Sequence, residues 1–392
     1  MKTVKDFDFK DNRVLLRVDF NVPISSSGQI LDDFRIQQSL PTIEYLKKSK
    51  SKIILISHLG GKEKSPASEP LAQNYSLEPI SLRLEKLLGQ KVKFLGDCLG
   101  EGVYQEIEKL QPSEVALLEN LRLHSEEEAN DPNFARALAE LGDIYINDGF
   151  SVCHRAHASV VGIPKYLPAG AGISLEKEIK ILSRVLERPW RPLIAIIGGV
   201  KISTKIKVIE KFLEVADHLL LGSKLAETIF IANDILVGRK LPEKEILDRI
   251  KSIPLTNPKL HLPTDGVMAL AGLEQGYSRI GAIGTVRKEE EIFDIGPETI
   301  KIFSEIIKEA KMIIWNGPVG YFERSPFDEG TKKVVEAICK NQSAYKIAGG
   351  GETDSYLYQA GLREKFDYVS TGGGAMLEFL AGEKLPGIEA LK

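Results

Sequence analysis

Arginine, histidine and asparagine recur where short apolar runs end in the first half of the chain. These positions are Arg17, Asp19 and Asn21, then His58, then Arg122, then Asn147, Asp148, His154 and Arg155, with Arg35 on an intervening loop. In open α/β sheets ligands sit just outside the carboxyl ends of the strands. Guanidinium groups grip carboxylate and phosphate oxygens bidentately, and a histidine adds a further donor, so the set suits a small acid. Each arginine taken alone is more readily explained by pairing with a nearby carboxylate. Their recurrence at successive strand ends favours one shared anion.

The second half holds different groups at the same kind of position. They are Gly198-Gly199 with Lys201 and Lys205, Gly222-Ser223-Lys224, Asn316-Gly317-Pro318, Gly349-Gly350-Gly351-Glu352, and Thr371 to Gly374. The last begins the run STGGGAMLEFL (Ser370 to Leu380), in which three glycines lead into a helical apolar pattern. The first amides of a helix lack intrahelical partners and carry positive potential, and glycine lets them approach an anion closely. A Gly-rich turn before a helix is, taken alone, more often just a turn. No GxxxxGK[ST] and no GxGxxG is present, so neither a P-loop nucleotidase nor a dinucleotide enzyme is supported. A Gly-rich half paired with an Arg-rich half implies a nucleotide meeting a small anionic substrate, and hence phosphoryl transfer.

These positions need strands and helices to hold them. Short apolar runs at Val14–Val18, Ile53–Ile56, Val92–Leu95, Val115–Leu118 and Ile144–Ile146 predict strands, and Pro41–Lys48, Ser81–Leu88 and Phe134–Leu141 predict helices between them. The second half repeats the scheme with strands at Leu193–Ile197, His218–Leu221, Leu260–Leu262, Met312–Trp315, Tyr345–Ala348 and Tyr368–Ser370. Near-continuous apolar strands alternating with helices predict parallel sheets covered on both faces. The fold class expected is α/β, with two Rossmann-like, doubly wound parallel-sheet domains joined by a hinge helix. The boundaries expected are 1–170, an interdomain segment 171–190 built on the charged helix Leu175–Glu187, and 191–383. A surface helix within one domain would carry the same signature as that linker. The closing segment 384–392 begins with a Pro-Gly break and is expected to pack away from its own domain, onto the first.

At 392 residues the chain exceeds what one core usually serves. Its 43% hydrophobic and 27% charged residues are ordinary globular values. A net charge of -3 argues against a general nucleic-acid binder. Three separated cysteines, Cys98, Cys153 and Cys339, lack zinc spacing and fit a reducing cytoplasm. No apolar signal core and no apolar run of ~18 residues is present, so no membrane association is expected.

Six segments, in order, resemble the signatures of the phosphoglycerate kinase family: RVDFNVP (Arg17 to Pro23), SHLG (Ser57 to Gly60), LLENLR (Leu117 to Arg122), HRAH (His154 to His157), WNGPVG (Trp315 to Gly320) and STGGGA (Ser370 to Ala375). The resemblance implies transfer between the acyl phosphate of 1,3-bisphosphoglycerate and ADP, giving 3-phosphoglycerate and ATP, with Mg²⁺ as cofactor, in a cytoplasmic monomer. It assigns Asp19, Asn21, Arg35, His58, Arg122 and Arg155 to the phosphoglycerate. It assigns Lys201, Lys205, Gly222, Asn316, Glu323, Gly349, Gly350, Gly351, Glu352, Thr353, Gly372, Gly373 and Gly374 to the nucleotide. Arg35, Lys201, Gly350 and Gly373 would act on the phosphoryl in flight, and Glu352 would hold the metal.

The chain departs from the family pattern at several places. Gly61 stands where the family usually has an arginine on the substrate phosphate, with Lys62 as the nearest stand-in. Glu352 replaces the usual metal-site aspartate, Thr204 replaces an aspartate between the two lysines, and Gly222-Ser223-Lys224 replaces the glycine run of the adenine region. Cys153, within an atypical Ser151-Val152-Cys153, reads as a packing thiol. Two rivals therefore stand beside the family activity: a kinase for another small phosphorylated acid, and a catalytically silent binding or scaffold protein.

Overall fold

A computed structural model of the chain describes residues 1–25, 27–60, 75–272 and 278–392. They form two compact units, Met1–Ile181 with Lys384–Lys392, and Leu182–Glu383.

The first unit carries strands β1 (Arg13–Arg17), β2 (Lys52–Ile56), β3 (Val92–Leu95), β4 (Val115–Leu118), β5 (Ile144–Asn147) and β6 (Ala169–Ala171). They form one parallel sheet in the order β3-β4-β2-β1-β5-β6. Its helices are α1 (Phe34–Lys48), α2 (Glu78–Leu88), α3 (Glu101–Glu108), α4 (Ser125–Ala129) and α5 (Pro132–Ala139). Strand β4, VALL, is buried at every residue, as expected where a parallel sheet is covered on both faces. Helix α1 starts at Phe34, well before the expected Pro41, because its buried residues Ile36, Ser39, Thr42, Ile43 and Leu46 continue the helical stripe through the proline. The ring sacrifices one backbone hydrogen bond there, and the packed face outweighs that loss.

Helix α6 (Ile173–Glu187) is capped by the first unit. Asp148 Oδ1 accepts from Ser174 N at 2.8 Å and Leu175 N at 3.1 Å, and Thr42 Oγ1 accepts from Ile173 N at 2.9 Å. Three otherwise orphaned amides are thereby satisfied.

The second unit has β7 (Leu193–Ile197), α7 (Ile206–Val215), β8 (His218–Leu221), α8 (Ser223–Ala232), α9 (Lys244–Lys251) and β9 (Leu260–His261). Then come β10 (Asp265–Leu270), β11 (Ser278–Ala282), β12 (Glu290–Ile295), α10 (Pro297–Lys308), β13 (Met312–Asn316), α11 (Glu329–Lys340), β14 (Tyr345–Gly349), α12 (Gly351–Gln359), β15 (Tyr368–Ser370) and α13 (Gly374–Leu380). Six strands make a parallel sheet in the order β15-β14-β13-β7-β8-β9, while β11-β10-β12 form a separate antiparallel sheet. That small sheet was not legible beforehand. Strand β11, SRIGA, has no buried residue and lacks an apolar run.

In the closing segment, α14 (Pro386–Glu389) lies against the first unit: Gly387 N donates to Cys153 O at 2.8 Å, and Leu385 and Leu391 are buried. Among the described residues no helix is long and apolar enough to cross a membrane.

Candidate active site

In the first unit, register decides which side chains meet. Arg17 pairs with both Ile56 and Asn147, so β1, β2 and β5 end level and deliver Asp19, Asn21, His58 and Asp148 to one edge. The turn after β4 is tied to the same edge by Asn120, whose Oδ1 accepts from Leu59 N at 3.1 Å and Arg122 N at 3.0 Å. Asp19 organises the neighbouring cation. Its carboxylate accepts from Asn21 N at 3.0 Å, from Ser151 Oγ at 2.5 Å and from the Arg35 guanidinium. Asn21 Oδ1 in turn accepts from Gly60 N at 3.0 Å, and Arg122 donates to Gly60 O.

The electrostatics of this edge are strongly positive. His58 is 4% exposed, and burial together with the charges of Arg17, Arg122, Arg35 and Arg155 holds its pKa well below the usual imidazole value. Arg122 is pulled down to about 10 by burial and by Arg155 and Arg17. Among the described residues its Nε is buried without a hydrogen-bond partner, and Glu128 Oε1 stands 3.7 Å from it. Burial and Arg155 lower His154 as well, and Arg155 Nε lies 3.3 Å from His154 Nε2. Cations that depress one another's protonation would all be relieved by an arriving anion. Asn147 and Asp148, strand-end candidates from the sequence, serve backbone instead: Asn147 Oδ1 accepts from Gly149 N at 3.0 Å, and Asp148 caps α6.

In the second unit, Ile197 pairs with both Asn316 and Leu221, Ala348 with Trp315, and Gly349 with Ser370, so the five polar turns also line one strand-end edge. The turns cross at contact distance. A Cβ on Gly198 would lie 1.9 Å from Pro318 O, so only glycine fits there. Asn316 Nδ2 donates to Gly349 O at 2.9 Å, and Gly317 N donates to Thr353 Oγ1 at 2.7 Å. Lys205, 8% exposed, donates to Gly198 O and Asn316 O; burial lowers its pKa to about 8 against the opposing effect of Glu352. Lys201 is exposed on the turn after β7. Gly350, at φ 103, precedes α12, so the first amides of that helix are without intrahelical partners. Gly373 occupies the same place before α13, whose first residue is Gly374, and Gly372 N donates to Ser370 Oγ at 3.0 Å. Gly222 packs against Val319.

A cavity of about 250 Å³ opens beside these turns, lined at its polar end by Gly199 and Glu352 and elsewhere by Glu323, Lys224, Ile292 and Phe293. Lys224 is not free there. Its Nζ lies 2.7 Å from Glu227 Oε2 and 2.6 Å from Glu291 Oε2. Glu352 Oε2 would lie 3.3 Å from a Cβ on Gly199, which puts a hard oxygen donor beside the Lys205 turn. One carboxylate fits Mg²⁺, an ion that keeps water and phosphate oxygens for most of its octahedron.

One strand-end edge is thus cationic and the other is built of glycine turns and lysines. A profile of the family described as phosphoglycerate kinase matches residues 4–383. The chain belongs to the phosphoglycerate kinase family. A phosphoglycerate kinase of Dictyoglomus turgidum is 44% identical over 393 residues, covering 99% of this chain and 98% of the relative. The solved phosphoglycerate kinase of Coxiella burnetii superposes with a TM-score of 0.84 at 36% identity, covering 99% of this chain and 98% of that one. That of Pyrococcus horikoshii gives 0.84 at 33% identity over 100% and 98%.

Of the departures from the family pattern, Gly61 and Lys62 lie outside the described residues. Arg17, expected among the strand-end groups of a small-acid site, is fully buried and bonds Ser159, Val18 and His58 instead; Ser151, noted only as atypical, is a partner of Asp19, and the Phe293 wall of the cavity was not anticipated. An arginine inside the otherwise apolar run VLLRV, 14–18, was the available signal for Arg17.

Proposed function

We propose that the chain catalyses reversible phosphoryl transfer between 1,3-bisphosphoglycerate and ADP, giving 3-phosphoglycerate and ATP, with the acid on the first unit and the nucleotide on the second. The observation that carries this reading is the convergence of four guanidinium groups on a neutral, buried His58. Asp19 holds Arg35, and Asn21, Arg122 and Arg155 complete the grip on the substrate's carboxyl and phosphate oxygens. In the second unit, Lys205 and the α12 and α13 amides bind nucleotide phosphates, with Gly349, Gly351 and Thr353 holding the α12 turn and Asn316 bracing it. Glu323 and the Gly222 turn border the nucleoside.

The carboxylate of 3-phosphoglycerate attacks already ionised, so no general base is needed. The protein's work is alignment of the reactants and neutralisation of charge on the transferred group by Lys201, Arg35 and the amides at Gly350 and Gly373. Mg²⁺ bound through Glu352 would neutralise charge on the nucleotide phosphates. Hinge bending at α6, a cytoplasmic location and a monomeric state belong to the same proposal.

ADP release from Mg-ATP with a panel of small phosphorylated acids tests it. Turnover with 3-phosphoglycerate above all others is expected, and Lys201→Met should lower it by about 10² to 10³, the usual effect of losing one transition-state donor. Preference for another acid would favour the related-kinase reading, and no turnover with any acid would favour a silent binding protein.

A further inference from the structure

Behind the cationic edge runs a buried chain of polar groups that none of the roles above uses. Glu127, fully buried, accepts from Ser159 N at 2.8 Å and Ser159 Oγ at 2.5 Å. Ser159 is clamped from its other side by Tyr145, whose hydroxyl donates to Ser159 O at 2.6 Å. With its hydroxyl donating a hydrogen bond to Glu127, Ser159 Oγ accepts from Arg17 Nε at 2.9 Å. Arg17, 0% exposed, also donates Nη1 to Val18 O at 2.5 Å and places Nη2 3.1 Å from His58 Nδ1.

The last contact has only one possible direction. A guanidinium has five donors and no acceptor, so His58 Nδ1 must accept. A neutral imidazole that accepts at Nδ1 carries its proton at Nε2. Among the described residues, His58 Nε2 has no hydrogen-bond partner.

We infer that Glu127, Ser159 and Arg17 form a positioning relay that locks His58 in its Nε2–H tautomer, a neutral donor for an oxygen of the bound acid. This inference rests on the proposed contact between His58 and phosphoglycerate. The relay supplies what a crowded cationic site needs. An imidazolium here would face Arg17, Arg35, Arg122 and Arg155, with the nearby carboxylates already engaged: Asp19 by Arg35, Glu127 by Ser159, and Glu128 facing Arg122. A neutral ring avoids that repulsion, and a fixed tautomer keeps the donor on the open side without rearrangement when substrate arrives. Arg17 thus acts through His58, and Glu127 supplies the buried negative charge that accompanies its guanidinium.

Long-range proton–nitrogen NMR on the full chain labelled with [¹⁵N]histidine, with His58 assigned by His58→Gln, reads the tautomer directly. The expected spectrum has a protonated Nε2 and an unprotonated Nδ1 in the ligand-free protein at neutral pH. In Arg17→Met the pattern should become a mixture, while Arg17→Lys, which keeps a donor, should restore it. The KM for 3-phosphoglycerate should rise about tenfold or more in Arg17→Met, with that for ATP unchanged. A wild-type His58 protonated at Nδ1, or at both nitrogens, would overturn the relay even if Arg17→Met failed to fold. An unaltered tautomer in a folded Arg17→Met would remove Arg17 from it. A correct tautomer whose Nε2–H resonance ignores added 3-phosphoglycerate would overturn the substrate contact instead, so the two failures are distinguishable.

Discussion

Nucleotide binding should take up a proton, and Lys205 should be the group that accepts it. The Lys205 ammonium is almost enclosed by the glycine turns, and burial lowers its pKa from 10.5 to about 8. Nucleotide phosphates at that turn would favour the charged form and return the pKa toward its ordinary range. At pH 8 the free lysine is then half protonated and the bound one nearly fully so, an uptake of ~0.5 proton that falls to ~0.1 at pH 7 and rises to ~0.9 at pH 9. Because the bound state holds the extra proton, affinity falls as pH rises through 8, toward about a tenfold loss per pH unit. Phosphate second ionisations near pH 6 are complete by then and do not obscure the signal. Calorimetric titration of Mg-ADP in two buffers of different ionisation enthalpy measures the uptake. Lys205→Met should abolish it and weaken binding roughly tenfold to over a hundredfold, the worth of a charged hydrogen bond. Uptake that persists in Lys205→Met, or affinity flat between pH 7 and 9, would refute the placement of phosphate on this lysine.

Two further substitutions test the packing around the sites. Asp148 is raised from 3.8 to about 7, chiefly by burial. A carboxyl that holds its proton more tightly when folded contributes stability below pH 3.8 that is lost as pH rises to about 7, by at most ~4 kcal/mol. Asp148→Asn, which keeps the carbonyl oxygen on the α6 amides, should flatten that pH dependence and unfold at a higher temperature than wild type at pH 8; an unchanged pH profile would be the contrary outcome. Lys224→Gly would strand Glu227, 7% exposed, without its 2.7 Å partner. It should cost ~1–3 kcal/mol in denaturant unfolding, largely recovered by adding Glu227→Gln; no recovery would show that the pairing is not what stabilises this wall.

Most strands of the two parallel sheets were legible because apolar residues dominate them, whereas the short β6, AGA, was not expected. Runs such as LIAII at β7 admit few readings once helices alternate with them, and a buried parallel sheet places its polar strand ends in one line. Lys205 and Asn316 could be anticipated for that reason. The direction of their contacts could not, since Lys205 turns inward onto carbonyls that only register brings together. Asp148 looked like an anion-site residue and proved to be a helix cap, because α6 begins beyond β6 in sequence but directly over its carboxylate. The chain from Glu127 to His58 joins four positions far apart in sequence, and in the antiparallel sheet β10, DGVMAL, is largely buried while its partner β11 has no buried residue and no apolar run.

The division of labour between the two edges is tested most directly by titrating 3-phosphoglycerate and Mg-ADP separately into wild type and Arg122→Ala. Arg122 has a buried Nε without a hydrogen-bond partner among the described residues and a pKa drawn down to about 10 by burial and its cationic neighbours. Its loss should weaken 3-phosphoglycerate by about tenfold or more while leaving Mg-ADP affinity within error. Undiminished 3-phosphoglycerate binding, or an equal loss of both ligands in a protein of unchanged melting temperature, would contradict the assignment of the acid to the cationic edge.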